Sequence, residues 1–305
     1  MGMPAISLAH SRTEGGIRGS VPLPRVTGST LLGLLAAAVL CVRFWLLMKG
    51  AADPTWRADA FTYYSSSLGY SRSPGPPGAF LYPPLFWQLL APFRLLPFDL
   101  FYALWVAAEL ACLIYLVGPM GAAALAFVPV VATDMWVGHV YLFMAAALAL
   151  SLGRPTWWWL LSIKATTFVG VLYHAFRREW RAFFQAAGLA GGLVSLSFLI
   201  APDAWFRWLA LSRDSPPAWE LFLAARLTFA VFLVAYAAWR RLPWVVPIAV
   251  TLSVPIFWPE SIILMLASLR LVRTTDSAPW PRRIATAPSD QAVSPGSSLG
   301  ALPPI

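Results

Sequence analysis

The charged residues of this chain are confined to short stretches that separate long apolar runs. That segregation constrains the fold more than any other feature. Of 305 residues, 59% are hydrophobic and 11% charged, against about 25% charged in a soluble domain. The mean hydropathy is +0.68. One soluble core cannot hide so much apolar surface, which must face lipid or other helices that lie in lipid. The expected fold is an all-α polytopic transmembrane bundle of about ten spans. They are read at about 29–48, 82–97, 99–117, 119–133, 138–152, 157–175, 183–200, 219–239, 243–257 and 260–272. Several fall short of the roughly 20 residues a straight span needs. Those near 82–97, 119–133 and 138–152 are expected to be tilted, broken or partly inserted. The 16 Trp residues suit a chain with two membrane–water boundaries.

Alternating the spans from an inside N-terminal tail (1–28) puts Arg177, Arg178, Arg181, Arg240, Arg241, Arg270 and Arg273 on the same side. The loops 50–80 and 201–217 fall on the other. Charges that played no part in choosing the spans thus obey the positive-inside rule. The reading is an integral multi-pass protein of the plasma membrane, with a transmembrane domain over 29–273. Its Pro- and Ser-rich tail, 274–305, is read as disordered and cytoplasmic, so both termini lie inside. The net charge of +9 does not point to nucleic acid, because no contiguous basic face is present. Cys41 and Cys112 lie within apolar runs and read as small buried hydrophobes. His10, His139 and His174 are far apart, no CxxC occurs, and no metal is expected. P-loop, dinucleotide and GxSxG signatures are absent.

An ionisable side chain at membrane depth is a functional candidate by default. Asp59 follows the first span in a segment, Trp56 to Leu68, that suits a helix lying at the interface, with Asp59, Tyr63 and Ser67 on one face. It reads as a general base at a cavity mouth or as a helix cap. Lys164, mid-run between Trp157 and Phe176, reads as half of an ion pair or as an anion site. Glu109 suits a structural pair with Lys164 or Arg43. His139, following Gly138 with Asp134 a turn earlier, reads as a site residue or an interfacial cap. Glu260 shares the outer depth of Asp59. Arg207, Arg213 and Asp214 read as contacts to an acidic ligand or as solvated charges. His174 and Glu179, beside a basic loop, read as solvated.

The order of these pieces resembles the GT-C type membrane glycosyltransferases. More narrowly, it is similar to the polyprenyl-phosphate-mannose-dependent mannosyltransferases of family 87. Four places carry the likeness, over about 50–275: Asp59 with Phe61, Tyr63 and Tyr64; Phe80-Leu81-Tyr82-Pro83-Pro84 with Pro92 and Pro97; Gly138-His139 with Lys164; and Ser253 to Glu260. The family usually carries Gln where this chain has His139, and a His closes the last motif that is absent here. Members are often longer. The resemblance implies a hexose, expected to be mannose, passed from a polyprenyl-phosphate donor to a hydroxyl of a lipid or glycan acceptor at the non-cytoplasmic face. It implies Asp59 as general base and no cofactor. Tyr63, Tyr82, His139, Lys164, Arg207, Trp258 and Glu260 are the expected substrate-binding residues. Membrane lipids are the remaining expected partners. The alternatives are an inactive lipid-binding or assembly subunit on the same scaffold, or a transporter.

Overall fold

A computed structural model of the protein describes residues 28–50, 58–68, 70, 80–213 and 217–277. The readings made for 1–27, for 278–305, for Asp214 and for much of the loop 50–80 lie outside those residues. Every regular element among the described residues is helical. In chain order the α-helices are α1 (Gly28–Gly50), α2 (Ala58–Ser65), α3 (Pro84–Leu90), α4 (Phe98–Leu125), α5 (Pro129–Val137), α6 (Tyr141–Ser151), α7 (Leu172–Phe176), α8 (Trp180–Ile200), α9 (Pro202–Arg213), α10 (Pro217–Arg240), α11 (Val246–Leu252) and α12 (Leu266–Ser277). Three substantial 3-10 segments, Pro155–Ile163, Ala165–Val171 and Pro259–Met265, join them.

Four helices are long and apolar enough to cross a membrane: α1, α4, α8 and the Phe222–Arg240 part of α10. The α5–α6 pair makes a fifth if counted as one broken span. This differs from the expected ten, and the reason lies at the breaks. The apolar runs between the long helices are divided by Gly, Lys, Ser and Pro into half-length pieces that turn back. At Gly138, with φ of 80°, α5 gives way to α6 through a bend of 105°. The run 157–175, expected as one helix, folds back at Lys164. Trp158 and His174 rings lie 6.3 Å apart, whereas a straight 3-10 helix would separate them by about 30 Å. Thr167 closes this turn: its N–H and its hydroxyl reach the Lys164 carbonyl at 2.8 and 2.7 Å. Gly170 is required here, since a Cβ would come 2.5 Å from the Trp158 ring. The third reversal lies between α11 and α12, where the Ser268 hydroxyl donates to the Trp244 carbonyl at 2.7 Å.

The long helices differ in how much they hide. Only 22%, 17% and 22% of the apolar windows of α1, α8 and α10 are buried, against 50% for α4. Leu31, Leu34, Phe184, Leu199, Phe229 and Phe232 stay exposed, as lipid-facing side chains of an integral membrane protein would. α4 is the central pillar. It starts after Pro97, and at Gly118 (φ 79°), just before Pro119, its course breaks. Arg43, buried in α1, does not pair with Glu109. It donates to the Ala132 carbonyl at 3.1 Å and lies over the Phe127 ring. Glu109 instead accepts from Trp105 Nε1 at 3.1 Å.

Opposite the three turns lies an arginine-rich end. Arg177 lies over the ring of Tyr173, and Arg270 over that of Tyr115. Arg273 donates to the Val117 carbonyl at 2.9 Å. His174 and Glu179, expected to be solvated, are not both so: His174 is buried. Its Nδ1 and Arg177 Nε donate to the two Glu179 oxygens at 2.8 and 2.6 Å. Burial alone would raise the Glu179 pKa, but these two hydrogen bonds outweigh it and hold the carboxyl below its usual range. A depressed carboxyl stabilises the fold above its unfolded pKa and loses that contribution as the pH falls. Since the side chain is 37% exposed, screening holds the effect below about 1 kcal/mol. Glu179→Gln is therefore expected to lower Tm by about 2 °C at pH 7, and by nothing measurable well below about pH 4.

Candidate active site

The three turns meet at one end of the bundle, and α2 closes over them. α2 ends sooner than expected, and Ser67 falls beyond it. Its approach depends on Gly138. A Cβ there would stand 2.6 Å from the Ala60 Cβ, and the left-handed backbone disfavours any other residue. With α2 so close, His139 Nδ1 donates to Asp59 Oδ2 at 2.6 Å. Tyr63, one turn on in α2, donates to the same oxygen at 2.9 Å. The Tyr82 hydroxyl lies 3.0 Å from that of Tyr63. Each phenol has one proton, and the carboxylate is the stronger acceptor. The order is therefore Tyr82 to Tyr63 to Asp59. Oδ2 is thus occupied twice, which leaves Oδ1 for an incoming group. The Asp59 side chain is 33% exposed and that of His139 16%.

Tyr63 is locked by aromatic packing against Tyr82, Phe86 and Trp105, at centroid distances of 5.4, 5.1 and 5.4 Å. Pro83 and Pro84 start α3 and aim this cluster: Pro83 is extended at φ −57° and Pro84 opens the helix. Tyr70 donates to the Tyr82 carbonyl at 2.9 Å.

Lys164, at the tip of the second turn, carries its ammonium 3.9 Å from the Tyr141 ring centroid and 5.4 Å from that of Tyr82. Such cation–π contacts hold a cation without neutralising it. From the third turn, Ser261 donates to the Tyr141 hydroxyl at 2.9 Å and accepts from the Trp258 N–H at 3.2 Å. Glu260, next to Ser261 in the chain, is half-buried.

Of the residues singled out in the sequence, Asp59, Tyr63, Tyr82, His139 and Lys164 thus converge, with Glu260 at their edge. Trp258 does not join through its ring, which is 54% exposed; its backbone does. Arg207 lies at the rim. It is exposed on α9, which replaces the expected outer loop. α9 is anchored by Trp205 and Trp208, which donate to Ser197 Oγ and to the Leu81 carbonyl. Three central residues escape a reading of the sequence as site residues: Tyr141, Ser261 and Asp134. The first two are ordinary residues in apolar helices. Asp134 had a signal, an acid in an apolar run, but one also suited to a cap.

The sequence model of glycosyltransferase family 87 matches residues 80–284, about two thirds of the chain. The chain belongs to glycosyltransferase family 87. No curated protein and no solved structure matches it. The family 87 match takes in Tyr82, His139, Lys164 and Ser261, and begins after α2. Asp59 and Tyr63 therefore reach the family 87 segment through the fold, across the Gly138–Ala60 contact. As a member of family 87, the protein is a membrane glycosyltransferase.

Proposed function

We propose that the protein transfers a hexose, specifically mannose, from a polyprenyl-phosphate donor to a hydroxyl of a lipid or glycan acceptor. The reading rests on one arrangement: a carboxylate with one oxygen pinned by His139 and Tyr63 and the other open, in a cluster that also holds the Lys164 cation. Asp59 Oδ1 takes the proton of the acceptor hydroxyl as that oxygen bonds to the anomeric carbon. The bond from that carbon to the donor phosphate breaks, and the phosphate leaves with the electron pair. Lys164, held over Tyr141 and Tyr82, meets the charge that grows on the phosphate. Tyr82 in the cluster and Glu260 at its edge suit hydrogen bonds to sugar hydroxyls, while Arg207 on α9 suits the rim. The arginines at the opposite end support a non-cytoplasmic site in the plasma membrane.

The test is transfer of labelled mannose from polyprenyl-phosphate mannose by the full chain in lipid nanodiscs. Activity that survives Asp59→Asn undiminished removes Asp59 as the base. Transfer from no polyprenyl-phosphate sugar removes the donor class. Lys164→Met is expected to lower kcat/KM roughly tenfold to a hundredfold, the worth of one charge-assisted contact. An unaltered kcat/KM would detach Lys164 from the phosphate.

A further inference from the structure

Asp59 and Tyr63 are carried by a helix of only eight residues, α2. So short a helix does not hold its place by itself, and its angle is set by what it touches. In its first turn that is the close approach of Ala60 to Gly138. At its C-terminal end it is an arginine. Arg94 Nε donates to the Tyr64 carbonyl and Arg94 Nη2 to the Ser66 carbonyl, both at 2.7 Å. The first carbonyl belongs to the last turn of α2 and the second to the residue just past it. Carbonyls there lack partners within the helix, and they form the end of the helix that attracts a cation.

Arg94 is itself fixed in place. Its guanidinium lies over the Trp87 ring of α3, 4.5 Å from the centroid. Trp87 Nε1 donates to the same Ser66 carbonyl at 2.9 Å. The Tyr64 hydroxyl returns the contact by donating to the Leu96 carbonyl at 3.0 Å. The segment from Trp87 to Leu96 thus grips the end of α2 through backbone carbonyls and one phenol. Only a planar fork with an apolar face serves two carbonyls and an indole at once, and a lysine ammonium does not.

The apolar packing of α2 is separate from this grip. Phe61 and Tyr64 meet the ring of Phe98 on α4 at centroid distances of 5.1 and 5.2 Å, and Tyr64 also meets Phe101 at 5.5 Å. Packing of this kind holds α2 against the bundle, while directional bonds to its end fix how it is turned.

We propose that Arg94 is a positioning residue: by gripping the C-terminal end of α2 it sets the turn of that helix, and so keeps Asp59 Oδ1 aimed at the acceptor hydroxyl. The proposal rests on the reading of Asp59 as the base.

The experiment uses the full chain in nanodiscs, with labelled polyprenyl-phosphate mannose as donor, and pairs initial rates with amide hydrogen exchange read peptide by peptide. Arg94→Gln is expected to lower kcat by roughly tenfold to a hundredfold, the effect of a small misplacement of a reacting group, with KM for the donor little changed. Exchange is expected to quicken over 58–66 and to stay as it was in the long helices. Arg94→Lys, which keeps the charge but reaches one carbonyl, is expected to fall between Arg94→Gln and the unaltered protein. An unaltered kcat in Arg94→Gln overturns the proposal, as does a loss accompanied by faster exchange throughout the bundle, which would make Arg94 purely structural. If Arg94→Gln does not assemble, Arg94→Lys decides: a lowered kcat with faster exchange confined to 58–66 supports the proposal, and a full kcat or a failure to assemble overturns it. Asp59→Asn separates this outcome from the underlying reading. An inactive Asp59→Asn beside a fully active Arg94→Gln removes the role of Arg94 alone, whereas a fully active Asp59→Asn removes the base and the proposal with it.

Discussion

Asp59→Asn is expected to lower mannose transfer by roughly a hundredfold to ten-thousandfold, the range that a positioned general base contributes, with little change in assembly. Asn is nearly isosteric and can still accept from Tyr63 and His139 through its side-chain oxygen. The packing of Tyr63 against Tyr82, Phe86 and Trp105 does not involve the carboxylate charge. What the variant loses is a group that can take a proton at the open oxygen. Initial rates with labelled donor, read beside the melting temperature in nanodiscs, separate the two. A rate within threefold of the unaltered protein at an equal melting temperature would show that the proton goes elsewhere.

Gly138→Ala is expected to be nearly as damaging by a different route. The new methyl needs space now occupied by Ala60, 2.6 Å away, at a backbone φ of 80°. Strain at that dihedral and overpacking each cost about 1–3 kcal/mol. The protein has two ways to relax. Either α2 lifts off, which parts Asp59 from His139, or the α5–α6 turn opens, which moves His139 itself. Both break the 2.6 Å contact. The expected result is a loss of transfer of at least a hundredfold, with a melting temperature lowered by several degrees. Ala60→Gly in the same chain removes one of the clashing methyls and should recover part of the loss. A Gly138→Ala protein with normal rate and stability would mean that the close approach of α2 is not needed.

The segregation of charge from apolar runs determined by itself that the chain is helical and belongs in a membrane, because a backbone in lipid leaves few options. Three outliers in those runs or beside them, Asp59, His139 and Lys164, were legible as candidates because a polar side chain at depth is costly. Tyr82 was legible only through its place before two prolines. Only the tertiary structure decided which runs cross and which turn back. A half-length helix that returns and a full helix that crosses have the same apolar composition. What separates them is a contact such as Trp158 with His174 or Ser268 with Trp244. Only the tertiary structure also decided the partners. Arg43 and Glu109 are charges of opposite sign in neighbouring helices, yet Arg43 takes the Ala132 carbonyl and Glu109 takes Trp105. Asp59 and His139 are 80 positions apart, and the residue that brings them together is a glycine. Charge and apolarity are properties of single residues and can be read along a chain. The approach of two backbones is a property of a pair and exists only once the chain is folded.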